Sequence, residues 1–417
     1  MISVRRVDFK TDGYNVHLLQ TDKYHEVSFD IVFEKNLTQE DFIYRKLLLT
    51  VLYNSVFNSQ KERQRQELKI YKPNYDFYQE IKGNVILYHF SGQFIHEKYT
   101  EKGMNDKNIS YFLKYAYNEN IIKNGISKEI FEYAKNKVLN RLETMPDNKE
   151  AYAYNELLAL QKIYPFESNL QEQITSLKST SEKELYDYYL KLINTSKVEV
   201  FLVGNIDEKE VKKVLNNNLN LNPRNTNLKQ FYLSETKPVQ GLKIERTDKI
   251  QSILFKSYYL SKMTAFEKNY VLPVLNNIIG INNGLLYREI REKESLCYYI
   301  LSFSDKYTNS QYIHTAINAK DYERVEFLIK ETLEKIKNGE YENEYLENAI
   351  NKKLLELNKD SDYLNNLKRQ FQDEIIFDAD NIEEKRKNYR KVTKENVSTL
   401  VKKLNTSATF FLKGEEK

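Results

Sequence analysis

Apolar and polar residues alternate over Val16 to Leu19 and again over Val27 to Phe33, the period of two that sets one face of a strand against a core. The period then lengthens. In "TQEDFIYRKLLLTVLYNSVF", Thr38 followed three positions later by Asp41 marks a helix start, and Leu48, Leu52 and Val56 carry a wide apolar face along the helix. "NVILYHFSGQFIH" predicts a second pair of strands and "SKEIFEYAKNKVLNRLETM" another helix, followed by a further helical run and a closing β-rich stretch.

The same pattern runs a second time. "TDKYHEVSFDIVF" from Thr21 returns as "TDKIQSILFKSYYL" from Thr247, and "EYAKNKVLNRLE" from Glu132 as "EYLENAINKKLLE" from Glu344. "LINTSKVEVFLVGN" around Asn194 returns as "LNTSATFFLKGEE" around Asn405. The long first helix has its counterpart in "TAFEKNYVLPVLNNIIG" from Thr264, and the second strand pair in "LCYYILSFSDKYTNSQYIHTAIN". Landmarks repeated in order at a separation of about half the chain imply an internal duplication. Strands grouped with helices, without strict βαβ alternation, favour an α+β fold in which each copy lays helices on one face of a mostly antiparallel sheet. Residues 218–240, rich in Asn and turn formers, read as a linker between an N-terminal domain over 1–217 and a C-terminal domain over 241–417.

Composition narrows the function classes. With 64 Lys and Arg against 60 Asp and Glu, and no long like-charge block, no nucleic-acid footprint stands out, and "KERQRQELK" at 61–69 reads as a solvated helix end. The 33 tyrosines are scattered. No apolar run is long enough to cross a bilayer, and the opening "MISVRRVDFKTDGYNV" lacks the apolar core and cleavage site of a signal peptide. The single cysteine, Cys297, permits no internal disulfide and reads as a small buried side chain. A cytoplasmic protein is expected.

Little catalytic equipment is visible. His17, His25, His89, His96 and His314 are never three to five residues apart, so no helix offers a paired-imidazole metal face. A phosphate-binding Gly-Lys-Ser/Thr loop, a dinucleotide glycine fingerprint and a Gly-x-Ser-x-Gly elbow are all absent, and "GINNG" at 280–284 follows no strand. What remains is "LLYREIREKESLCYYILSF", in which Arg291 precedes Tyr298 where a charged helix gives way to a strand.

This stretch, together with the duplication, resembles the insulinase/pitrilysin-type zinc peptidases, the group that includes the mitochondrial processing peptidases, over nearly the whole chain. Members that cleave peptides carry His-x-x-Glu-His on the first long helix, a third acidic ligand on a later helix, and an Arg and a Tyr in the C-terminal half that hold the substrate carbonyl and the oxyanion formed on it. The first helix here has no histidine, and Glu132 in "FEYAKNKVLNRLETM" is left without partner ligands. Cys297 stands where many members have Gly or Ala.

The resemblance therefore implies the zinc-less subunit of a paired bacterial peptidase. This chain would contribute Arg291 and Tyr298 and bind no cofactor or metal, and a zinc-bearing homologous partner would complete a heterodimer. The expected substrate is a small unfolded peptide, such as a ribosomally made precursor or a bacteriocin. A non-catalytic scaffold, or a peptide-binding protein of a modification pathway, is the alternative. The residues alone also admit a local explanation: Arg291 pairs with Glu294, and Tyr298 and Tyr299 face opposite sides of a strand.

Overall fold

The computed structural model describes residues 4–224, 226–233, 239–248, 250–280, 283–360 and 362–415. It divides into two compact units, neither of which is continuous in sequence. One holds Met1–Arg141, Thr175–Phe231 and Asp360–Ala379, and the other Leu142–Ile174, Tyr232–Lys359 and Asp380–Lys417.

The first unit is built on six strands: β1 (Arg5–Lys10), β2 (Asn15–Gln20), β3 (Glu26–Asn36), β4 (Asn74–Lys82), β5 (Val85–Ile95) and β6 (Lys197–Gly204). Their order is β1-β2-β6-β3-β5-β4, antiparallel except where β2 meets β6. The helix Gln39–Ser55 starts where the sequence predicts. The Thr38 N–H donates to Asp41 Oδ2 at 2.7 Å, and buried Asp41 also accepts from Lys35 Nζ at 2.6 Å and from the Tyr188 hydroxyl. The helix N-terminus is thereby tied to β3 and to the helix Glu182–Thr195. The helix Met104–Ala116 packs on β5, where Gly92 leaves room for the Phe112 ring; a Cβ at that position would lie 2.1 Å from it. The basic stretch at 61–69 belongs to the helix Gln60–Lys69, which has no buried residue.

The second unit repeats the plan with β7 (Gly241–Arg246), β8 (Ser252–Leu260), β9 (Cys297–Asp305), β10 (Ser310–Ile317) and β11 (Leu404–Lys413). Their order is β7-β11-β8-β10-β9, antiparallel except for β7 against β11. Thr264 and Glu267 reciprocate as Thr38 and Asp41 do: the Thr264 N–H donates to Glu267 Oε2 at 2.7 Å and the Glu267 N–H to Thr264 Oγ1 at 3.2 Å. The helix that follows differs from its counterpart. It begins with a widened π turn, Glu267–Val271, before settling into Leu272–Gly280.

Expectation and structure part over the second face of each sheet. Each copy's own helices cover one face, as the pattern predicts, but the other face carries a helix from the other half of the sequence. In the first unit, Leu364, Phe371 and Ile376 of the helix Leu364–Ile376 pack against Val32, Leu87, Phe201 and Val203. In the second, Ala153 and Leu157 of the helix Lys149–Gln161 pack against Phe255, Tyr312, Phe410 and Leu412. The two helices hold matching places in the duplicated pattern, each following a long helix, Asn343–Asp360 or Lys128–Glu143. The exchange is therefore reciprocal.

The exchanged helix in the first unit also satisfies a buried charge. Asp30, fully buried in β3, receives Gln372 Nε2 at 2.8 Å, lies 3.1 Å from His89 Nδ1 and has Lys368 Nζ 3.8 Å away. On the same face, Glu34 keeps one oxygen 3.3 Å from Lys197 Nζ while the other has no partner among the described residues. Burial pushes the Glu34 carboxyl up to about 7.

Two outcomes follow. The folded Glu34 carboxyl holds its proton to higher pH than the unfolded one, so its contribution is fully present below its ordinary range and lost as pH rises through about 7. Glu34→Gln should raise stability by about 1–3 kcal/mol above that pH, with the gain vanishing at acid pH, read from thermal midpoints across a pH series. Residues 1–231 expressed alone should lack a cooperative melt and bind a hydrophobic dye, and a peptide of residues 360–379 should restore the transition; a cooperative melt without the peptide would contradict the exchange.

Candidate functional site

The histidines hold structural posts. His17 lies between Asp8 at 2.7 Å and Glu199 at 2.9 Å, His89 stacks on Tyr78, and His314 stacks on Phe255 with its ring centroid 4.0 Å away. His96 accepts from the Lys98 N–H at 3.0 Å and His25 meets the Tyr99 ring. Burial pushes the His314 imidazole down to about 4, so it is neutral at physiological pH.

The donor set of the first helix does not fit a zinc ion. Its C-terminal half enters a tyrosine cluster instead: Tyr53 lies 3.3 Å from Tyr75 across their hydroxyls, and Glu67 accepts from Tyr75 at 2.8 Å and from Tyr111 at 2.9 Å. Arg63 sits 4.5 Å over the Tyr53 ring. Between the end of this helix and the helix Lys128–Glu143 runs a groove of about 400 Å³, lined by Tyr53, Phe57, Arg63, Glu129 and Tyr133. Glu132 is exposed and without a partner among the described residues. No group of three or more His, Cys, Asp or Glu side chains among the described residues is arranged to hold a metal ion.

Arg291 and Tyr298 each lie at a backbone irregularity. Arg291 lies in a second π turn, Tyr287–Glu292, closed by the Lys293 N–H on the Arg288 carbonyl; the extra residue in such a turn widens the helix and displaces its side chains. Tyr298 is the extra residue of a bulge in β9, since Tyr299 pairs with Ala316 and Cys297 with Ile317, leaving Tyr298 unmatched. The bulge turns Tyr298 outward, 64% exposed. The Arg291 guanidinium donates to the Cys297 carbonyl, the peptide group immediately before Tyr298. Among the described residues this is its one hydrogen bond, so most of its donors are unused.

The local explanation of these residues does not hold. Glu294 pairs with Arg324, not with Arg291, and Tyr298 breaks the alternation of its strand. Sequence reading missed the neighbour of this pair. The Tyr299 hydroxyl donates to Glu150 Oε1 at 2.6 Å and lies 2.8 Å from buried His314 Nε2, a polar chain running from exposed Glu150 into the sheet beside Tyr298. No local signal reveals it, because Glu150 arrives on the exchanged helix. Cys297 is buried, with its thiol pushed up by burial despite the nearby Arg291 charge.

Comparison with known proteins agrees with this architecture. Residues 179–353 match the family described as "Peptidase M16 inactive domain". The chain is 21% identical to a Bacillus subtilis protein named "Probable inactive metalloprotease YmfF", over 100% of this chain and 99% of that one. A conserved protein from Enterococcus faecalis shares the fold with a TM-score of 0.87 and 23% identity, covering 99% of both chains. The peptidase M16 inactive domain from Pseudomonas fluorescens aligns with a TM-score of 0.76 and 14% identity, over 100% of this chain and 98% of that one. No helix among the described residues is long and apolar enough to cross a membrane.

The thiol gives a direct check on the packing at this site. Native protein at pH 8 should leave a thiol reagent unconsumed, and denatured protein should consume one equivalent; rapid labelling of the native chain would place Cys297 at the surface.

Proposed function

We propose that this chain, similar over residues 179–353 to the peptidase M16 inactive domain and throughout to a probable inactive metalloprotease, is the zinc-less subunit of a cytoplasmic heterodimeric peptidase. Arg291 and Tyr298 are its contribution to a site completed by a zinc-bearing partner of similar size. The observation that carries this reading is the pairing itself. A guanidinium with unused donors is pinned at the base of an exposed phenol by a π turn and a bulge, in a chain whose first helix has no histidine.

The chemistry suits peptide hydrolysis. Attack on a peptide carbonyl develops negative charge on its oxygen, and the guanidinium and phenol each offer N–H or O–H donors to that charge. A preorganised donor of this kind supplies about 2.7–4 kcal/mol. Water activation at the metal belongs to the partner, because the residues of this chain do not hold a zinc ion. The substrate is a small unfolded peptide, such as a ribosomally made precursor or a bacteriocin, whose backbone carbonyls are free to reach both groups.

The test mixes this chain with a zinc-bearing homologue of similar size and a labelled peptide. Tyr298→Phe should lower kcat/KM about 10²-fold and Arg291→Ala about 10²- to 10³-fold, with unchanged circular dichroism. Full activity in both variants would remove the shared-site reading in favour of a scaffold. Hydrolysis by this chain alone would contradict the metal argument.

A further inference from the structure

The open edge of β9 is built differently from the other sheet edges among the described residues. Its first eight residues, "CYYILSFS", contain no charge and no proline. Proteins usually blunt a free edge with charges, since its unpaired N–H and C=O groups otherwise recruit another strand. The duplication supplies the control. The matching edge strand of the first unit, β4, carries Asp76, Glu80 and Lys82, and the opposite edge of the second unit, β7, carries Lys243, Glu245 and Arg246. Among the described residues, β9 exposes apolar side chains at its edge without such charges: Leu301 at 38% and Phe303 at 37%, with bulged Tyr298 at 64%.

The direction of the backbone groups can be assigned. The Tyr299 carbonyl accepts from Thr315 Oγ1 at 2.7 Å and the Phe303 carbonyl from Gln311 Nε2 at 3.0 Å, both donors lying on β10. Tyr299, Leu301 and Phe303 therefore turn their amides toward β10, opposite Ala316, His314 and Tyr312. Ile300, Ser302 and Ser304 turn theirs away from the sheet. Outward amides thus alternate with Leu301 and Phe303, whose side chains share the face of Tyr312 and Phe255.

We infer that β9 is the docking strand for an extended, unfolded peptide that adds to the sheet antiparallel to it, with apolar side chains at alternate positions covering Leu301 and Phe303. A second copy of this chain fits less well. The bulge at Tyr298 limits regular pairing to about six residues, and a contact of that length falls short of the roughly 1,000 Å² a stable dimer needs. The strand leads directly into Tyr298, so a peptide seated on it passes the Arg291 guanidinium. The inference deepens the shared-site reading and rests on it for the fate of the peptide, while the docking itself stands on β9 alone.

The probe is a fluorescein-labelled Lys-Val-Thr-Val-Thr-Val-Lys peptide, titrated with the full chain and followed by anisotropy. Residues directly opposite across a strand pair place their side chains on the same face, so valines covering Leu301 and Phe303 turn their amides away from β9, and the threonines turn theirs toward it. N-methylation of the threonines should abolish binding, and N-methylation of the valines should leave it unchanged. Leu301→Lys and Phe303→Lys should each weaken it at least tenfold. An absence of saturable binding, equal binding of the two N-methylated peptides, or a dimer that Leu301→Lys dissolves would overturn the inference. The two proposals fail separately. Hydrolysis in the mixed pair that depends on Arg291, without binding at β9, discards the docking strand and keeps the shared site. Binding at β9 without hydrolysis in the mixed pair keeps the strand and discards the shared site.

Discussion

Asp30 lies fully buried in the middle of a sheet, and two of the groups that compensate it, Lys368 and Gln372, come from the far end of the chain. A carboxylate withdrawn from water is tolerable only with partners, and truncating a partner of a buried charge costs on the order of 3–5 kcal/mol. The apolar face around Asp30 has the same need, since its own helices lie on the other side and Leu364, Phe371 and Ile376 pack against Val32, Leu87 and Phe201. The reciprocal helix in the second unit, with Ala153 and Leu157 over Phe255 and Phe410, solves the same problem in the duplicate. Both units are complete only because each receives a helix from the other half of the sequence.

That constraint reaches the candidate site through Glu150. It lies on the exchanged helix of the second unit and accepts the Tyr299 hydroxyl, which also meets neutral His314. The strand next to Tyr298 is thus held by a hydrogen-bonded chain that runs from exposed Glu150 to buried His314, while the bulge frees Tyr298 from the pleat. Arg291 is fixed from the other side by the Cys297 carbonyl. The contacts that orient this part of the chain are thus to one backbone carbonyl and to the side chains of Glu150 and His314.

Much of this was legible in the sequence. Alternation gave β2 and β3, the Thr38 box gave the start of the first long helix, and the repeated landmarks gave the duplication and with it the second long helix, because each of these signals is local or compares like with like. Arg291 and Tyr298 stood out as candidates only through resemblance. The π turn and the bulge at which they lie insert single residues into regular elements and leave no periodic trace. The helix exchange was not legible at all. "KEAYAYNELLALQ" announces an apolar face but not which sheet will receive it, and the bond from Glu150 to Tyr299 depends on that choice.

The exchange also sets an order on biosynthesis. The first sheet acquires β6 by residue 204, yet the helix over its second face ends only at Ile376. At a translation rate of roughly 5–20 residues per second, the nascent chain carries that apolar face uncovered for about ten to thirty seconds. Domain-by-domain folding on the ribosome is therefore closed to this protein. Its first unit gains the cover of that face only when the last quarter of the polypeptide has been made.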